Sequence, residues 1–199
     1  MGIPVTGTGR VETGLGGPSG FGEAQLDRSD DGSLRLDVSA VFESGLNFLG
    51  RRYAATDLWV NTNGTLSLGA ALPEYPTAAS VGLPTDMIAI FWADLDTRLR
   101  GEGLESGQVH IDIDAVADRV SLTWADVGMY RRNTDSPARF QLQLYDRGNG
   151  DFDIVFRYDS VDLTTGSAED DLGARVMVSS PRLLAPFLPS GLPAVAGLD

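Results

Sequence analysis

No apolar pattern of period 3.6 holds for three turns anywhere in this 199-residue chain, whereas alternation of period two recurs along most of it. Leu34, Leu36, Val38 and Ala40 alternate with Ser33, Arg35, Asp37 and Ser39. The same rhythm carries Val109, Ile111 and Ile113, then Val120, Leu122 and Trp124, then Phe140, Leu142 and Leu144. It returns in Phe152, Ile154, Phe156 and Tyr158, and in Ala174, Val176 and Val178. Successive strand residues point to opposite faces, so each run must bury one face and show the other to a polar environment. Many short runs of this kind, with no helical stripe between them, predict an all-β fold. The expected architecture is a single antiparallel β-sandwich, jelly-roll-like.

Turn chemistry punctuates the runs. Asn63-Gly64 lies between Leu58-Trp59-Val60 and Leu66-Ser67-Leu68. Asn and Gly tolerate the positive φ of a type I′ turn, so this pair predicts a hairpin. Asp30-Asp31-Gly32 and the stretch from Asp146 to Asp151 are further polar turns. Residues 1–20 hold seven Gly and two Pro and read as a flexible lead-in, with order starting near Phe21. Residues 21–180 form one domain, and the Pro-rich residues 181–199 read as an extended tail.

The run Ile88-Ala89-Ile90-Phe91-Trp92-Ala93-Asp94-Leu95-Asp96 is apolar on both alternating faces before it meets two carboxylates. A strand buried on both faces belongs in the interior of its sheet. As one strand it would carry Asp94 and Asp96 to the rim, where ionised groups need a cation, an Arg or backbone N–H groups. Arg98 and Arg100 are the nearby partners. Calcium is the candidate cation, because it takes oxygens from carboxylates and carbonyls. Asp94 and Asp96 are its first candidate ligands; Asp146, Asn149 and Asp151 are its second. Asp27 to Gly32 matches the first half of an EF-hand loop, but Val38 stands where the closing Glu belongs, which rejects that reading.

Composition removes most catalytic chemistries. The chain has no Cys and one His, and its fifteen basic residues are all Arg. Thiol nucleophiles, Schiff bases, Walker-type phosphate loops and His-rich metal sites are therefore excluded. His110, on an alternating run, is expected on an exposed strand face. A net charge of −13 disfavours nucleic acid and anionic membranes as partners. No segment is long and apolar enough for a membrane span, and the first residues lack the pattern of a signal peptide. Trp59, Trp92 and Trp124 are expected in the core, with Trp59 least committed to it. A carbohydrate-binding module and an Asp-dependent glycoside hydrolase remain as alternatives.

Four pieces occur in a recognisable order: Ile90-Phe91-Trp92-Ala93-Asp94-Leu95-Asp96, Val120 to Gly128, Arg139 to Leu144, and Phe152 to Tyr158. Together with Asn61-Thr62-Asn63-Gly64-Thr65-Leu66-Ser67, they resemble the nidogen extracellular (NIDO) domain over roughly residues 20–180. Leu163 stands where that family tends to have Trp, and Val109-His110-Ile111-Asp112 replaces its Tyr-Arg signature. The absence of Lys and Cys resembles bacterial members associated with large adhesins and calcium-dependent repeat (RTX) proteins. The resemblance implies a non-catalytic, secreted adhesion or matrix-type binding module, extracellular or at the cell surface, whose partner is a protein or a glycan. It implies no catalytic residues.

Overall fold

A computed structural model describes residues 5–7, 9–80 and 85–180. The expected tail, residues 181–199, lies outside the described residues. Fourteen strands are present among those described: β1 (Val5–Gly7), β2 (Ala24–Gln25), β3 (Ser33–Leu36), β4 (Leu46–Phe48), β5 (Arg51–Tyr53), β6 (Leu58–Asn61), β7 (Thr65–Leu68), β8 (Asp86–Trp92), β9 (Leu95–Asp96), β10 (Gln108–Asp114), β11 (Arg119–Met129), β12 (Asn133–Asp146), β13 (Phe152–Ser160) and β14 (Arg175–Ser179). The only helical element among them is a short 3₁₀ turn, Ala78–Ser80.

Two sheets face one another. The larger has the order β1-β13-β12-β11-β10-β2, with β9 also paired to β11; the smaller is β14-β8-β7-β6-β3. All pairings are antiparallel except β1 with β13. The hairpin β4-β5 stands apart from both sheets. The alternating apolar residues meet between the sheets, as their period requires. Leu58, Val60, Leu66, Ile88 and Ile90 from one side and Leu122, Trp124, Phe140, Leu142 and Ile154 from the other are all buried in one cluster. The Trp124 ring stacks on Phe140 with centroids 5.0 Å apart, and its indole N–H donates to the Thr62 carbonyl at 2.9 Å.

Three features differ from the sequence expectation. The run from Ile88 to Asp96 is two strands in two sheets. β8 ends at Trp92, the chain turns at Ala93-Asp94, and β9 joins the other sheet opposite Gly128 and Met129. Order also begins well before Phe21: β1 pairs with β13, and Val11 is buried with Phe21 and Ala125. The Gly-rich composition hid this, because the partners lie more than a hundred residues away. His110 is buried, not exposed, since Phe21 packs on its ring at 5.7 Å and Ser19 and Gln25 hydrogen-bond its Nδ1. Burial, with Arg28 nearby, pushes its pKa down.

The predicted hairpin forms with a three-residue loop, Thr62-Asn63-Gly64, closing on the pair Asn61 and Thr65. Gly64 takes a φ of +79°, and a Cβ there would lie 1.9 Å from the Phe91 carbonyl oxygen. Both conformation and space demand glycine. Gly64→Ala is expected to cost about 3 kcal/mol or more, lowering Tm by roughly 6–12 °C. Gly50→Ala, at φ +82° but with nothing near its Cβ, carries only the conformational cost of roughly 1 kcal/mol. Thermal melts of the two variants measure the difference, and equal losses would contradict the close approach.

Candidate functional site

The turn at Ala93-Asp94, where the chain crosses between sheets, is fixed from several sides. Its backbone is gripped by Asn63: the Ala93 N–H donates to the Asn63 carbonyl at 3.2 Å, and the Leu95 N–H to Asn63 Oδ1 at 2.8 Å. The Tyr130 N–H donates to the Asp94 carbonyl at 2.9 Å, and the Thr97 N–H to that of Ser29 at 2.9 Å. These bonds bring the Asp30 loop, the β6-β7 loop and the β11-β12 loop to one end of the sandwich. The loop from Tyr75 to Pro76 and that from Gly166 to Asp171 meet there too. Tyr75 OH donates to Asp170 at 2.7 Å, and the Leu172 N–H to the Pro76 carbonyl at 3.0 Å.

Asp94 and Asp96, which sequence reasoning paired, have different surroundings. Asp96 is fully buried and four times hydrogen-bonded. Its Oδ1 accepts from the Arg98 N–H at 3.0 Å and Arg98 Nε at 2.8 Å; its Oδ2 accepts from Arg98 Nη2 at 2.6 Å and the Arg132 N–H at 3.0 Å. A fork-on-fork Arg contact of this kind is a strong and geometrically exact fit for a carboxylate. To present its N–H, the β11-β12 loop holds Arg131 and Arg132 at φ of 64° and 57°, a conformation uncommon for residues other than glycine.

Asp94 is only 1% exposed, and its Oδ2 has no hydrogen-bond partner. Burial, reinforced by the negative charges of Asp30, Asp171, Asp31 and Asp96, pushes it up to about 7. Asp30 has one oxygen on Arg98 at 2.9 Å and the other, Oδ1, buried without a partner. Burial and then the Asp96 charge raise Asp30 to about 6, with Arg98 pulling the other way. Asp31 accepts from Asn63 Nδ2 at 2.8 Å, while Asp171 accepts from the Gly166 and Gly173 N–H groups. The same field lifts Tyr75 to about 12, chiefly through its bond to Asp170. Asp30 is thus the partner of Asp94 that sequence reasoning missed as a rim residue. It appeared there in a polar turn and in the rejected EF-hand match, not beside Asp94, because 64 positions separate the two.

The second predicted set lies at the other end of β12. Asp146 Oδ1 caps the Gly148 N–H at 3.1 Å, Asn149 has a φ of 58°, and Asp151 Oδ1 accepts from Asn47 Nδ2 at 3.3 Å. Asn47 and Arg52 also donate to the Asn149 carbonyl, which ties this turn to the β4-β5 hairpin. Among the described residues, no three His, Cys, Asp or Glu side chains converge closely enough to hold a metal by themselves. Any cation at the rim would rest on Asp30 and Asp94 plus neutral oxygens.

The raised carboxyls fix the sign of a pH effect. Between about pH 4 and pH 7 the folded chain retains protons that the unfolded chain has released, so these groups stabilise the fold at low pH. Their contribution is lost as pH rises through the folded values. Asp94→Asn is expected to flatten this part of the stability profile and to gain on the parent chain above pH 7. Urea melts from pH 4 to pH 8 measure it, and parallel profiles for parent and variant would contradict it.

Residues 56–179 match the nidogen-like domain. Nidogen of Drosophila melanogaster is 26% identical over 139 residues, covering 60% of this chain and 10% of that protein. The chain therefore spans about a tenth of the length of that relative. No solved structure matches it. The matched segment runs from the strand before the Asn63 loop through β14 and covers well over half of the sequence, so the chain belongs to the nidogen-like domain family.

Proposed function

We propose that this chain is a non-catalytic binding module of the adhesion or matrix type, acting outside the cell or at its surface on a protein or glycan ligand. Membership of the nidogen-like family is the observation that carries the reading. The chemistry of the chain supports it. Its one His is buried and Cys and Lys are absent, which leaves carboxylates as the only strong acid–base groups. The most perturbed of these, Asp94, is buried beyond the reach of a polysaccharide, which argues against the glycoside hydrolase reading. The bacterial, RTX-associated type is part of the same proposal, supported by a chain that is Lys-free, Cys-free and Asp-rich.

Calcium belongs to the same proposal, with its ligands redrawn. Asp96 is saturated by Arg98 and Arg132, whereas Asp94 Oδ2 and Asp30 Oδ1 are buried oxygens without partners. Two carboxylates are few for calcium, which takes six to eight oxygens, so affinity in the range of about 10⁻⁴ to 10⁻³ M is expected. Binding would neutralise the repulsion between Asp30 and Asp94 and stiffen the crossing between the sheets.

Melts with EDTA and with calcium near 10 mM test the cation. At roughly 100 Kd the fold gains about 2.7 kcal/mol, and proportionately less at weaker affinity. Asp94→Asn should abolish the gain, while a melt unmoved by calcium would remove the ion from the proposal. Surface plasmon resonance against extracellular matrix proteins, beside a glycan array, tests the module itself. Protein binding without turnover is expected. The glycan reading would win if array signals vanished in Trp59→Ala, whose ring lies half-buried beneath Arg35 at 5.3 Å. Hydrolysis of a polysaccharide lost in Asp94→Asn would overturn the non-catalytic reading.

A further inference from the structure

The N-terminal segment crosses the outer face of the large sheet from one edge to the other. β1 pairs with β13 at one edge, through Val5 with Ile154 to Gly7 with Phe156, and β2 pairs with His110 and Ile111 of β10 at the other. This explains an oddity of the outer face. Ser121, Thr123, Gln141 and Gln143 occupy the polar phase of their strands, yet all four are fully buried.

Contacts in the middle of the crossing have the form of peptide recognition. Gln141 reads the Glu12 backbone twice: its Oε1 accepts from the Glu12 N–H and its Nε2 donates to the Glu12 carbonyl, both at 3.1 Å. Asp159 Oδ1 accepts from the Val11 N–H at 3.0 Å, and Arg157 Nη1 donates to the Arg10 carbonyl at 3.3 Å. The Glu12 carboxylate is clamped by Arg157 at 2.7 Å, Arg119 at 2.9 Å and Gln143 Nε2 at 3.1 Å. Val11 sits in a small apolar pocket with Phe21 and Ala125. Beside the clamp, Asp112 Oδ2, Arg119 Nε and Ser121 Oγ are buried without hydrogen-bond partners, although Asp112 Oδ2 lies 3.8 Å from Arg119 Nη2, so the segment leaves part of the face incompletely satisfied.

We propose that this face is a binding site for an extended segment bearing an apolar–acidic pair, filled in cis by Arg10–Glu12 and able to take the same segment from a second copy of this chain. Every polar grip on Arg10–Glu12 comes from side chains of β11, β12 and β13, and the apolar contact of Val11 with Phe21 and Ala125 needs no covalent link between Val11 and Phe21. An exchanged segment would repeat the same bonds, which is why swapping identical elements is a low-cost route to dimers. Release would bare the β13 edge of the sheet, and an unpaired edge seeks another strand. The segment lies outside the residues matched to the nidogen-like family, whereas the side chains that grip it lie within them.

The test uses the full chain with a protease site inserted between Thr13 and Gly14, where a Cβ on Gly14 meets nothing within 4 Å. After cleavage, a fluorescent peptide of residues 5–13 is added and its anisotropy followed. It should displace the nicked segment, fail to bind the uncut chain at low concentration, and bind about tenfold or more weakly as the Glu12→Gln peptide. Arg157→Gln in the chain should shrink that discrimination, with Arg119 left as the remaining cation on Glu12. The uncut chain should form dimers as its concentration rises, and Glu12→Gln should change that equilibrium. A nicked chain that unfolds, equal binding of the Glu12→Gln peptide, or an uncut chain that stays monomeric at every concentration would overturn the proposal.

Discussion

A buried asparagine side chain joins the parts of this sandwich. Asn63 is fully buried, and an amide in that position costs about 1–3 kcal/mol for each group left unpaired. None is left so. Its two N–H groups donate to Asp31 at 2.8 Å and the Pro73 carbonyl at 2.6 Å, and its oxygen accepts from the Leu95 N–H. Its backbone carbonyl takes the Ala93 N–H, and Gly64 beside it lets the Phe91 carbonyl approach. One loop thereby fixes the acidic turn at Asp31, the connection at Pro73 and the crossing from β8 to β9. Thr62 adds the bond from Trp124, which reaches across the core to the other sheet. The carboxylates of the rim stand where they do because this loop holds the backbone beneath them.

The outer faces of both sheets follow a second constraint. Polar residues in strand phase expect water, but here much of that phase is covered. On the small sheet, Asn61, Thr65 and Ser67 are fully buried beneath the connection after β7, with Leu72 N–H bonded to Asn61 Oδ1 at 3.0 Å and Ser67 Oγ to the Ala70 carbonyl at 2.7 Å. Trp92 joins that outer layer with Leu72, Met87 and Ala89. On the large sheet the N-terminal segment plays the same part. Covered polar faces must be satisfied group by group, which ties loops of irregular structure to the sheets as firmly as the strands are tied to each other.

How legible this was depended on sequence distance. Period-two alternation located β3, β10 through β13 and β14, because each strand declares its own faces. Asn63-Gly64 declared its hairpin, although the loop closed with three residues where two were expected. What could not be read locally was anything decided by a remote partner. The split of Ile88–Asp96 depends on Asn63 and on β11, the burial of His110 on residues 19–25, and the order of the Gly-rich start on β13. Asp94 and Asp96 were legible as rim residues, but their opposite environments were not. Asp96 meets Arg98 two residues away, a contact visible in sequence, whereas the pressure on Asp94 comes from Asp30 and Asp171.

Amide hydrogen exchange of Leu95, Ala93 and Tyr130 tests the central role of the Asn63 loop most directly. These three N–H groups close the crossing through Asn63 and the Asp94 carbonyl. If the crossing is part of the cooperative core, they exchange only by global unfolding, with protection equal to that of Ile88 and Ile90 in β8. Protection well below that of β8, with exchange through a local opening of the crossing, would contradict the account.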